Sequence, residues 1–151
     1  MALEKRISEL TSKVGAIEDT DLMVISDYNG ATYDTKKVTG AQINPYKVYL
    51  ANISQVGTSD PILNYGYSEL SSTITLDRTG VGQYELILSG AEFTLNKTFI
   101  QITNGASGVG IVLGAYRISA TKIGFYSSNS TTGTLLDSAL DEAQIEIKII
   151  K

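Results

Sequence analysis

Apolar residues recur along this chain with two different periods. Leu3, Ile7, Leu10, Val14 and Ile17 are spaced four, three, four, three, which is the spacing of a heptad seam and predicts a short N-terminal helix. Ile7 and Val14 then occupy a, and Leu3, Leu10 and Ile17 occupy d. Lys13 at g and Glu18 at e are placed to pair across a parallel interface. Gly15 falls at b, on the outer face, where it weakens the helix without obstructing packing. A lone helix of about 15 residues is marginal in water, so the apolar stripe must be covered. Three covers are open: its own domain, copies of itself, or a host protein. Ile and Val at a with Leu at d lean to two strands and Ile17 at d leans to three, so the seam does not choose between dimer and trimer.

The helical period stops at the polar break Asp19-Thr20-Asp21. Leu22-Met23-Val24-Ile25 is β-prone, Asn29-Gly30 is a hairpin turn signal because both residues tolerate positive φ, and residues 32–38 form the return strand. Thr39-Gly40-Ala41-Gln42 has the spacing of a capping box, with Ile43 opening a helical turn. Asn44-Pro45 closes this part, since the residue before proline is driven out of the α region. The chain therefore divides into an arm, residues 1–45, and a domain, residues 46–151.

In the domain the period is two. Expected strands run over 46–53, 72–77, 83–88, 98–103, 110–118, 122–127 and 144–150, separated by Gly, Asn, Ser and Thr. Ile74 and Leu76 point inward, as do Tyr84, Leu86 and Leu88, and Ile145, Ile147 and Ile149 alternate with Glu146 and Lys148. Residues 135–140 read as one helical turn, and Pro61 to Leu70 has no clear pattern. The fold class expected is mainly β: a coiled-coil-like helix and hairpin arm, then an antiparallel β-sandwich of jelly-roll-like type.

Composition narrows the chemistry. Histidine and cysteine are both absent, which removes the usual general base, the commonest transition-metal ligand, disulfides and thiolate sites. The net charge of −4, with twelve scattered Lys and Arg, works against nucleic-acid binding. No apolar run approaches the roughly 20 residues that span a bilayer, so no membrane partner is expected. Met1 to Arg6 lead into alternating polar and apolar positions without a signal-peptide core, so synthesis in the cytoplasm is expected.

Two stretches resemble known virion proteins. The helix followed by Asp21-Leu22-Met23-Val24-Ile25, then Lys36-Lys37-Val38-Thr39 and Ala41-Gln42-Ile43, is similar to an N-terminal attachment or trimerisation module of phage fibres, over residues 3–44. Ser54-Gln55-Val56-Gly57-Thr58 with Pro61, Arg78-Thr79-Gly80-Val81-Gly82-Gln83-Tyr84, Asn96-Lys97-Thr98-Phe99 and Ile145-Glu146-Ile147 resemble a small β domain. That domain occurs in virion proteins of Bacteroidetes phages, the crAss-like phages among them. Relatives of this type carry tryptophan where Leu76 stands, a departure in a core residue. The resemblance implies a structural protein of a tailed-phage virion: a capsid-attached head fibre or decoration protein, often trimeric, displaying its β domain. The alternatives are a tail fibre or appendage, or an adhesin module that binds a host-surface glycan. Implied partners are copies of itself and a capsid or auxiliary protein.

No catalytic, cofactor or metal site is expected. Asp137, Asp141 and Glu142 cluster but lack a calcium-loop spacing, and read as a solvated face. A glycan hydrolase would need two carboxylates across a cleft, and no such pair stands out. The glycine-rich stretch from Gly105 to Gly110 runs into Ile111-Val112-Leu113, a strand rather than the helix of a phosphate loop. Of nine tyrosines, Tyr46, Tyr84 and Tyr116 fall in strands where packing accounts for them. Tyr65 and Tyr67 are the pair expected at the surface, where they could contact a ligand.

Overall fold

The computed structural model describes residues 22–28, 33–105 and 110–151, and the chain divides into two compact units, 1–44 and 45–151. Leu3, Ile7, Leu10, Val14 and Ile17, the Asp19–Asp21 break, the Asn29-Gly30 turn and residues 106–109 lie outside the described residues. The predicted coiled-coil helix is therefore not among the elements that follow.

In the first unit, β1 (Leu22–Tyr28) pairs antiparallel with β2 (Tyr33–Thr39), in a register that runs from Leu22 opposite Thr39 to Tyr28 opposite Tyr33. β1 runs three residues past the β-prone Leu22–Ile25, and β2 has the length of the expected return strand with its bounds one residue later. The capping box forms: Thr39 Oγ1 accepts from the Gln42 N–H, and Gln42 Oε1 accepts from the Thr39 N–H at 2.7 Å. The Asn44 N–H donates to Gly40 O at 2.8 Å, closing the single turn α1 (Gly40–Ile43) ahead of Pro45.

The second unit is a β-sandwich of eight strands: β3 (Tyr46–Ser54), β4 (Ile62–Ser68), β5 (Ile74–Gly80), β6 (Gln83–Leu88), β7 (Thr98–Thr103), β8 (Ile111–Arg117), β9 (Lys122–Asn129) and β10 (Ala143–Ile150). All pairings are antiparallel, in sheets ordered β4-β3-β10-β7 and β5-β6-β9-β8. Strands β3 and β10 lie side by side, and the Lys151 N–H donates to Pro45 O at 2.8 Å, so Pro45 already belongs to the sandwich. The split of four and four is that of a jelly roll, but the connectivity differs. Three of the six pairings, β3–β4, β5–β6 and β8–β9, join consecutive strands, which makes the sheets mainly hairpins closed by β10 and by β6–β9.

Alternation places the core between the sheets. Tyr49, Ala51 and Ile53 of β3 and Ile145, Ile147 and Ile149 of β10 meet Tyr84, Leu86 and Leu88 of β6 and Ile123 and Phe125 of β9, with Phe93 and Leu140 added from loops. Tyr84 stacks on Phe125 with ring centroids 5.3 Å apart. Ile74 and Leu76 pack against this cluster from β5, as the alternation predicts. β7 and β8 come together along one side of the sandwich. The other side, between β4 and β5, keeps a cleft of about 260 Å³ lined by Tyr49, Leu63, Leu70, Ile74 and Leu76.

One reading of the sequence is corrected, and one segment it left unassigned is placed. Residues 135–140 form no helical turn, because their backbone groups bond across the sandwich: the Leu136 N–H donates to Ser127 O at 3.0 Å and the Ser138 N–H to Gln55 Oε1 at 2.6 Å. Pro61 to Leu70 contains a strand, β4, every residue of which is exposed. Its alternation is broken by a bulge: Asn52 faces Tyr65 but Ile53 faces Leu63, leaving Asn64 as the extra residue. Asn64 Nδ2 donates to Asn52 Oδ1 and Ser54 Oγ, both at 2.8 Å, pinning the bulge to β3.

Candidate functional site

Two places on the sandwich gather polar side chains, and they differ in how far their hydrogen bonds are satisfied. The first is one end of the sandwich. Gln55 is 3% exposed, and all four positions of its amide are used. Nε2 donates to Gly57 O and to Ser59 O, while Oε1 accepts from Tyr84 Oη at 3.2 Å and the Ser138 N–H at 2.6 Å. Beside it the Arg78 guanidinium grips Asp137 with both prongs, Nε to Oδ1 at 2.9 Å and Nη2 to Oδ2 at 2.7 Å. The Gly82 N–H adds a third bond to Asp137 Oδ1 at 3.0 Å. The Arg78 bond, helped by Gly82, holds the Asp137 carboxyl below its ordinary range, and the same bond holds Arg78 up. Asp137 is therefore no part of a solvated face: its side chain is largely covered, and it anchors residues 135–140 to the β5–β6 turn. Asp141 and Glu142 are exposed, while the Glu142 backbone bonds to Asn52 Nδ2 and Ser54 Oγ. Gly82 has φ +59°, and a Cβ there would lie 2.5 Å from Ser127 O, so only glycine fits.

The second place is the outer face of the β4-β3-β10-β7 sheet. Register lines its outward residues into rows. Tyr65, Asn52, Gln144 and Thr103 form one, and Tyr67, Leu50, Glu146 and Gln101 form the next. A shallow groove of about 440 Å³ lies over them, lined by Leu50, Asn52, Tyr65, Gln101, Thr103, Gln144 and Glu146. Phe99 and Tyr46 continue the face beside Glu146 and Lys148. Lys148 Nζ lies 2.7 Å from Glu146 Oε1, which raises the lysine's pKa and cancels charge at the groove margin. Among the described residues, the side chains of Tyr65, Gln101, Thr103 and Gln144 make no hydrogen bond. Their donors and acceptors face solvent.

The two tyrosines picked out in the sequence thus share one face but not one environment. Tyr65 is 77% exposed and forms the wall of the groove on the edge strand. Tyr67 donates its hydroxyl to Glu69 Oε1 at 3.1 Å, a bond that raises its pKa, and so is held in place. Of the tyrosines assigned to packing, only Tyr84 is buried; Tyr46 and Tyr116 are 36% and 55% exposed. Tyr116 covers Gly124 and Tyr126 covers Gly114, since these residues face one another across β8 and β9. Leu50, Asn52, Gln101, Thr103 and Gln144 were not singled out by sequence. Their alternation placed them outward, but which outward residues share a row depends on register.

Among the described residues, no group of three or more Asp or Glu side chains is arranged to hold a metal ion. No helix of the described residues is long and apolar enough to cross a membrane. No family model matches this chain, and no curated protein or solved structure proves similar to it.

Proposed function

We propose that this protein is a non-enzymatic structural component of a tailed-phage virion, a capsid-attached head fibre or decoration protein that displays a β domain. Residues 1–44 attach and oligomerise, the Leu3–Ile17 seam forming a parallel coiled coil, trimeric by resemblance. Residues 45–151 are displayed. The observation that carries this reading is the division of the chain at Asn44–Pro45, where a capped turn ends one unit and a sandwich with its own core begins. Support also comes from where the second resemblance falls. Its Ser54–Thr58 and Arg78–Tyr84 stretches meet at one end of the sandwich through Gln55 and Tyr84, so these two stretches help build the scaffold.

Immunogold labelling of virions tests the proposal. Label on heads supports it, label on tails moves the protein to a tail fibre or appendage, and unlabelled particles overturn it. A polypeptide of residues 45–151 should fold with a β-type circular dichroism spectrum and fail to decorate particles that the full chain decorates. Light scattering should give the full chain an oligomeric mass, and Ile7→Asp with Leu10→Asp a monomeric one.

A host-surface adhesin is the second reading. The open groove at Tyr65 favours it and is compatible with display.

A further inference from the structure

We infer that the groove on the outer face of the β4-β3-β10-β7 sheet is a binding site for a neutral oligosaccharide. The inference rests on the display reading, because such a site is useful only on a surface held toward a host.

The chemistry of the lining selects the ligand. A sugar ring has a face of C–H groups that stacks on an aromatic ring, and an edge of vicinal hydroxyls that each donate and accept. Tyr65 supplies the exposed ring at one wall of the groove. Gln144 and Gln101, on neighbouring strands, supply planar amides with one acceptor and two donors each, and Thr103 adds a hydroxyl; none is engaged within the described residues. Asn52, by contrast, already accepts from Asn64 and donates to Glu142 O, which fixes its amide at the centre of the row. The groove's volume of about 440 Å³ is within the range of small-ligand sites.

Charge decides against the competing ligands. An anionic glycan or a nucleic-acid strand would need cations beside the groove, and the nearby Lys148 is paired with Glu146. A cationic ligand would find Glu146 paired in the same way. A peptide added as a strand would follow the free edge of β4, whereas the groove lies over the face and offers side chains rather than backbone. A neutral polyhydroxy ligand is the one that leaves no partner unmatched. A monovalent site this shallow is weak, and several copies on one oligomer would raise its avidity.

The test uses the full-length protein with neutral hexasaccharides of glucose, mannose and galactose, alongside sulfated and uronate hexasaccharides. Titration is followed by calorimetry and by tyrosine fluorescence, the chain having no tryptophan. At least one neutral series should bind, with Tyr65→Ala and Gln144→Ala each weakening it tenfold or more and Tyr65→Phe restoring most of the affinity. Unchanged melting temperatures separate lost contacts from lost fold. Absence of neutral binding up to millimolar concentration, preference for the charged series, or binding indifferent to both alanine variants would each overturn the inference. Particle labelling is read separately, so a protein that decorates virions but binds no sugar defeats this inference alone.

Discussion

The amides of Gln55 and Gln144 belong to the same domain and have opposite fates. Gln55 is buried with every donor and acceptor matched. Gln144, on β10, faces the groove with its side chain unbonded within the described residues. A buried amide without partners would cost several kcal/mol, so burial forces completeness at Gln55; solvent imposes no such demand at Gln144. The difference separates two roles that residue type alone cannot. A saturated polar cluster holds the fold, and an unsaturated one on a rigid sheet is free to bind something else.

Mutation at the saturated end should break this contrast most visibly. Gln55→Ala strips partners from the Ser138 N–H and from Gly57 O and Ser59 O, and removes the acceptor that Tyr84 Oη meets at 3.2 Å. The expected loss is about 3 kcal/mol, read by urea denaturation. Gly82→Ala follows at about 2 kcal/mol, because the added Cβ meets backbone atoms of Ser127 and Leu136 at a positive φ. A Gly82→Ala protein as stable as the parent would show that the β5–β6 turn is looser than its packing implies.

Acid and alkali should sharpen the comparison. Asp137 is held below the ordinary carboxylate range by Arg78, then by Gly82. Burial pulls Glu92 upward, but bonds from the Ser72 hydroxyl, from Lys47 Nζ at 3.0 Å and from the Ser72 N–H at 2.8 Å outweigh it and leave its pKa lowered. A carboxylate whose folded pKa lies below its unfolded one adds stability that is complete above the unfolded value, about 4, and is lost as pH falls through the folded value. Tyr49 and Tyr84 are raised, by burial first, so they stabilise fully below about pH 10 and that contribution is lost as pH climbs through their folded values. Thermal melts should therefore be flat from about pH 5 to 9 and fall on both sides. Asp137→Asn should flatten the acid limb. An unchanged limb would place the acid response elsewhere.

Much of this architecture was legible in the sequence, and the exceptions share a cause. Residues 83–88 and 98–103 were bounded correctly because Tyr84-Glu85-Leu86-Ile87-Leu88 and Phe99-Ile100-Gln101-Ile102 alternate between a more buried inward face and a less buried outward face. The strand expected over 72–77 lies at Ile74–Gly80, extended past the alternating residues by pairing with β6. Strand β4 was missed because it lies at an edge, exposed throughout, where no burial enforces alternation and a bulge breaks it. Asp137 was misread because its partner, Arg78, is 59 positions away and nothing local marks the pair. The groove was half visible: exposed tyrosines can be guessed from an irregular segment, but the row that joins Tyr65 to Gln144 exists only once β3 lies between β4 and β10.

The smallest effect is expected at the unsaturated face, and it carries the comparison's real test. Gln144→Ala removes an exposed amide that makes no hydrogen bond within the described residues, on a strand whose opposite face, Ile145 and Ile147, is untouched. Nothing is left unsatisfied, so the change in stability should stay within about 0.5 kcal/mol, against about 3 for the same truncation at Gln55. Gln101→Ala on the neighbouring β7 should behave alike, and the double variant should be additive, because neither amide bonds to the other. Parallel urea titrations of the three proteins settle the matter. If Gln144→Ala costs as much as Gln55→Ala, the face is part of the scaffold and its amides are already engaged in solution; a small cost leaves them available to a ligand.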